Sequence, residues 1–105
     1  MNQDDKSKLL AVREDNPFTS IGFMYYLHSK GFEVQNIISS RGLCHMVNLN
    51  KWIFIYEIDK YVSVGSGDKP ESYVSEHLSK YNDLMIFKNI NELYKYLKSK
   101  NLIWI

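Results

Sequence analysis

Residues 51–58 read KWIFIYEI. The stretch is aromatic and β-branched with no Gly or Pro, which is the composition of a strand. Successive strand residues point to opposite faces. Trp52, Phe54, Tyr56 and Ile58 therefore share one side, and Ile53 and Ile55 the other. A strand covered on one side only alternates apolar with polar. Both faces of this one are apolar, so each needs a cover: a helix of the same chain, the tail at Trp104, or another molecule.

Outward from this ribbon, FEVQNIIS (residues 32–39) and LCHMVNL (residues 43–49) also alternate and read as strands, with Gly42 at the bend between them. NLNK (residues 48–51) reads as a tight hairpin, because Asn tolerates positive φ. KYVSVG (residues 60–65) either continues the ribbon after a kink or pairs back on it. DLMIFKN (residues 83–89) is one further short strand.

Three helices are expected. In NPFTSIGFMYYLHSKGF (residues 16–32), Asn16 is an N-cap, Pro17 suits the first turn and Gly31 a left-handed C-terminal cap. Ile21, Met24, Tyr25 and His28 share a face that Phe23 and Leu27 widen and Phe18 joins. In PESYVSEHLSKY (residues 70–81) Pro70 and Glu71 suit the first turn. In NINELYKYLKSK (residues 89–100) Asn89 and Glu92 resemble a capping box, and Ile90, Leu93, Tyr94 and Leu97 follow helical spacing. Residues 1–15 are polar apart from LLAV and read as a loose arm or a short helix capped by Asp4 or Asp5. Residues 16–105 then form one α+β domain: a three- to four-stranded antiparallel meander, an N-terminal helix, two C-terminal helices and one further short strand. NLIWI (residues 101–105) is an apolar tail, a last strand or a plug.

Composition narrows function. The 105 residues are 45% hydrophobic and 24% charged, ordinary for a globular domain. The net charge of +1 is spread evenly along the chain, without the basic field that a nucleic-acid binder usually carries. Cys44 is the single cysteine, so no intramolecular disulfide forms. No apolar run reaches membrane-spanning length and the N-terminus lacks a signal-type apolar segment, so the expectation is a cytoplasmic protein. Phe, Tyr, Met, Ile, Asn and Lys make up 47 residues against one alanine and two arginines. These favoured residues have AT-rich codons, which points to an AT-rich microbe or its phages, plasmids or other mobile elements.

The candidate chemistry is thin. Gly65, Ser66 and Gly67 form a glycine-rich turn before a helix, but a phosphate-binding loop needs wider glycine spacing and a following Lys, and here Asp68 follows. YEIDKYVSVGSG (residues 56–67) followed by a helix is similar to the strand–GSG–helix segment of proteasome-like N-terminal nucleophile hydrolases. Those enzymes use a terminal Thr, Ser or Cys, and this chain begins Met1-Asn2, so no catalytic residue transfers. Cys44 and His45 point to opposite sides of the expected strand, and His28 and His77 sit on separate helices. No Cys-x-x-Cys or His-x-x-x-His spacing suggests a metal. Glu57 and Asp59, two apart, share a strand face and are either an acid–base pair or the solvent end of a strand.

Three functions follow, and no cofactor is expected in any. The leading one is a small non-enzymatic protein-binding module, an inhibitor, adaptor or regulator. It would use Trp52, Phe54 and Tyr56 with Tyr25 and Tyr26, and self-association through a sheet edge or this face would give a two-fold dimer. The second is nucleic-acid binding, with bases stacked on the aromatic strand and phosphates met by Arg41, Lys51, Lys88, Lys95 and Lys98. The third is a small ligand binder or enzyme at Gly65, Ser66 and Gly67.

Overall fold

The computed structural model describes residues 7–103. They form an α+β fold in which four helices pack on a five-stranded mixed sheet. The chain runs β1 (Ser7–Arg13), α1 (Pro17–Ser29), β2 (Glu33–Val34), α2 (Ser40–Leu49), β3 (Trp52–Tyr56), β4 (Tyr61–Gly65), α3 (Glu71–Leu78), β5 (Asn82–Phe87) and α4 (Ile90–Ser99). The strand order is β2-β4-β3-β1-β5. β1 is antiparallel to β3 and parallel to β5, β3 is antiparallel to β4, and β2 is parallel to β4.

The expected arm is therefore corrected over Ser7–Arg13, which is the strand between β3 and β5. Its LLAV run is buried on both faces. Leu10 and Val12 join the larger core, and Leu9 and Ala11 the smaller one. A continuous apolar run of this length suits a strand enclosed on both sides. The expected caps at Asp4 and Asp5 lie outside the described residues.

LCHMVNL is corrected from strand to helix α2. Ser39 caps it, accepting from the Gly42 N–H at 3.1 Å. Leu43 and Val47 are four apart, so they share a face in a helix as well as in a strand. The helix buries both and leaves His45 and Leu49 exposed. Asn50 ends α2, its N–H donating to the Met46 carbonyl at 2.9 Å. The hairpin expected at NLNK is accordingly absent. FEVQNIIS is a strand for Glu33–Val34 only, because Asn36, at φ +58°, turns the chain into the loop before Ser39. The antiparallel meander thus gives way to a mixed sheet. KYVSVG does pair back, as β4.

α1 starts as expected. The Asn16 side chain accepts from the Phe18 and Thr19 N–H groups at 2.9 and 3.3 Å, and Pro17 opens the helix. Its buried face is Ser20, Phe23, Met24 and Leu27, turned from the expected Ile21, Met24, Tyr25 and His28, and Phe18 is 82% exposed. α1 and α4 end alike. Phe32 N–H donates to the Leu27 carbonyl across Gly31 (φ +96°), and Leu102 N–H to the Leu97 carbonyl across Asn101 (φ +57°). Each end is a left-handed cap followed by an apolar residue folded back on the last turn. Of the expected tail plug, Ile103 is seated in the larger core, and Trp104 lies outside the described residues.

α1, α2 and α4 lie on one face of the sheet, over Ile53, Ile55 and Val62. α3 lies alone on the other, with Val74 against Leu9, Ala11, Trp52 and Phe54.

Two glycines of one helix test this account in opposite directions. Gly22 is exposed in mid-α1, and a Cβ there meets nothing within 4 Å. Gly22→Ala is expected to raise unfolding free energy by about 0.5–1 kcal/mol. Gly31→Ala meets no obstacle either, its nearest neighbour being Lys60 Nζ at 3.9 Å, but φ is +96°. It is expected to lower stability by about 1–2 kcal/mol. Urea unfolding of the two variants reads both signs.

Candidate functional site

The two faces of the sheet differ in how much is covered. Strands lie about 4.8 Å apart, so five span about 20 Å, and a helix with its side chains is about 10–12 Å across. Three helices close one face. The single helix α3 closes only the part of the other around β1, β3 and β5.

The loop before α3 is held over β3. The Lys69 carbonyl accepts from Trp52 Nε1 at 2.7 Å and from Arg13 Nη1 at 3.1 Å. Arg13 also pairs with Asp15 at 2.9 Å and with Asp68. Trp52 and Phe54 stack with ring centroids 6.5 Å apart. They are only 2% and 6% exposed, so the cover for the ribbon's second face comes from the same chain. This corrects the open Trp52/Phe54/Tyr56 surface: the first two side chains are core.

Among the described residues, what stays open is the β4–β2 end of that face. Tyr56 is opposite Tyr61, and Tyr61 is opposite Glu33. Residues facing each other across strands point to the same side. The row Glu33–Tyr61–Tyr56 thus forms a shelf, with Ser63 in the next row and Asp59 in the turn beside it. These five residues line an open depression of about 570 Å³. The Tyr56 and Tyr61 rings are 6.1 Å apart, tilted by 39°. A second depression, of about 590 Å³, shares Glu33 and Tyr61 and continues past His28 to Ile37 and Ile38. Among the described residues neither Glu33 nor Asp59 has an ion-pair partner. Lys60, next to Asp59 in sequence, lies over the Phe32 ring at 5.0 Å.

The remaining candidates do not assemble. Glu57 and Asp59 are not a pair, since Glu57 accepts from the Tyr96 hydroxyl of α4 at 2.9 Å while Asp59 lines the shelf. Loss of water, then the hydrogen bond and the charge of Glu57, push the Tyr96 hydroxyl up to about 12. Tyr25 is exposed on α1, and Tyr26 packs against Tyr94 of α4 at 5.9 Å, away from the shelf. Arg41 is on α2, Lys51 between α2 and β3, and Lys88 just beyond β5. Lys95 pairs with Glu92 at 3.7 Å, and Lys98 lies over the Tyr94 ring at 5.3 Å. α1 lies between α2 and α4, so these cations are not gathered into one patch.

The Gly65–Ser66–Gly67 turn is knitted into the fold. Ser66 and Gly67 have positive φ, of +62° and +50°. Gly67 N–H donates to Asn50 Oδ1 at 2.9 Å, and the Gly67 carbonyl accepts from Lys51 N–H at 2.8 Å. An amide committed to Asn50 is not offered to an anion. Cys44 and His45 are exposed on α2, not on a strand. His77 is stacked on Tyr73 of α3 at 4.0 Å, across the sheet from Cys44. Among the described residues no group of three His, Cys, Asp or Glu side chains is placed to hold a metal, and no helix is long and apolar enough to cross a membrane.

Sequence reasoning reached Tyr56 but missed Tyr61 and Glu33. Tyr61 follows from the β3–β4 hairpin register once KYVSVG is paired back. Glu33 depends on a parallel pairing that no local signal marks. The chain matches no protein-family model, no curated protein and no solved structure at a significant level.

The burial of Trp52 is testable. Trp52→Ala is expected to cost about 3–5 kcal/mol, as for a large aromatic removed from a core. Trp52→Phe should cost less, keeping ring bulk but losing the hydrogen bond to the Lys69 carbonyl. Chemical denaturation of both variants decides it. A Trp52→Ala protein of unchanged stability would mean that the face is open after all.

Proposed function

We propose that this chain is a small non-catalytic protein-binding module, an inhibitor, adaptor or regulator, that holds its partner at the Tyr56–Tyr61 shelf. One observation carries the reading: two half-buried tyrosines line a depression on the part of the sheet face that no helix covers among the described residues. Tyrosine is enriched at binding hot spots because it offers a large amphipathic surface with few rotatable bonds. Exposed Ile58 at the β3–β4 turn and exposed Ile38 beside the second depression extend the contact area. The outer edge of β5 has no strand partner among the described residues and offers a separate route to a second copy of this chain.

The nucleic-acid reading is less well supported. The open aromatic surface is rimmed by carboxylates, which repel phosphate, and its lining contains no lysine or arginine.

The test compares wild type with the Tyr56→Ala/Tyr61→Ala variant as immobilised bait in extract of the source cells. A hot spot worth about 2 kcal/mol predicts that a partner's affinity falls about thirtyfold in the variant, measured at a temperature where circular dichroism shows the variant folded. Identical captured proteins at identical affinities, or turnover of a substrate by the purified protein, would contradict the proposal.

A further inference from the structure

The shelf is selective in charge as well as shape. Its lining is two tyrosine rings, two carboxylates and one hydroxyl, from Tyr56, Tyr61, Glu33, Asp59 and Ser63. Glu33 and Asp59 are exposed, and neither has an ion-pair partner among the described residues. Lys60, the nearest lysine in sequence, is drawn off to Phe32. Aromatic faces attract a guanidinium or ammonium held within about 6 Å of the ring. A carboxylate partner adds to that attraction. An anionic group at the same place would face two like charges.

We infer that the shelf takes a cationic side chain, an arginine or a lysine presented by a partner protein, laid against Tyr61 and Tyr56 with its charge between Glu33 and Asp59. This rests on the protein-binding reading above and names the chemistry that the partner brings. A protein side chain is the occupant, not a free small cation, because apolar anchors flank the acidic shelf. Ile58, the residue before Asp59 in the β3–β4 turn, is 79% exposed, and Ile38, which lines the adjoining depression, is 99% exposed. A basic side chain with apolar neighbours in its own chain meets both features at once. Arginine is the better fit, since its planar group stacks on a ring while it bonds to carboxylates.

The test is a titration of the ¹⁵N-labelled protein with short capped peptides, each with one central residue between leucines. The arginine peptide is expected to shift the amides of Glu33, Tyr56, Tyr61 and Ser63. Its citrulline counterpart, of the same shape but neutral, should bind about five- to tenfold more weakly. The glutamate peptide should leave those amides unmoved. Glu33→Gln/Asp59→Asn should weaken the arginine peptide by a similar factor, with the thermal midpoint and the citrulline affinity preserved. Equal affinities for arginine and citrulline peptides, or an unchanged arginine affinity in the double variant, would overturn the inference. Spermidine shifting the same amides at least as tightly as the arginine peptide would overturn the choice of a protein side chain. If Tyr56→Ala/Tyr61→Ala still weakens a partner's affinity about thirtyfold while the peptides fail to discriminate, this inference falls and the protein-binding reading stands.

Discussion

The fold depends on β1 having a strand on each side and a core on each face. Leu10 and Val12 face the three-helix layer, and Leu9 and Ala11 face α3. Antiparallel pairing to β3 on one side and parallel pairing to β5 on the other tie residues 7–13 to segments about 40 and 75 positions away in sequence. Without β1, the β3–β4 hairpin and β5 have no common sheet. Each core would then lose its middle.

The site follows from the same arrangement. A five-stranded sheet has two faces of equal width, but the described residues put three helices on one and a single eight-residue helix on the other. That helix is placed by the Lys69 carbonyl, which holds the preceding loop over Trp52 and Arg13. It therefore sits toward β1 and β5, and among the described residues no helix covers the β4–β2 end. The aromatic strand splits accordingly: Trp52 and Phe54 seal the smaller core, and half-buried Tyr56 packs at its edge and lines the shelf.

Much of this was legible in the residues and some was not, for identifiable reasons. α1 and α4 carry side-chain caps that announce their starts, and β3 has a composition that only a strand favours. α2 is ambiguous in the residues because Leu43 and Val47 satisfy both periods, and only the Ser39 cap separates them. β1 is not legible because four apolar residues among polar ones carry no periodicity; only distant pairing shows that they are enclosed. In the site, Tyr56 was visible from alternation. Tyr61 needed the hairpin register, and Glu33 needed the parallel edge pairing of β2 with β4. The breadth of the apolar surface on the aromatic strand demands two covers, and Ile53 and Ile55 lie in one core while Trp52 and Phe54 lie in the other. Which part of it stayed uncovered depends on where α3 lands, and that is a tertiary outcome.

Amide hydrogen exchange at Leu9, Leu10, Ala11 and Val12 tests the central claim most directly. A strand enclosed in this way opens only with the whole molecule, so these four amides should be among the slowest, with protection that matches the global unfolding free energy. Exchange at the rate of an exposed segment would show that residues 7–13 are not the middle of the sheet, and the two-core architecture would fail with them.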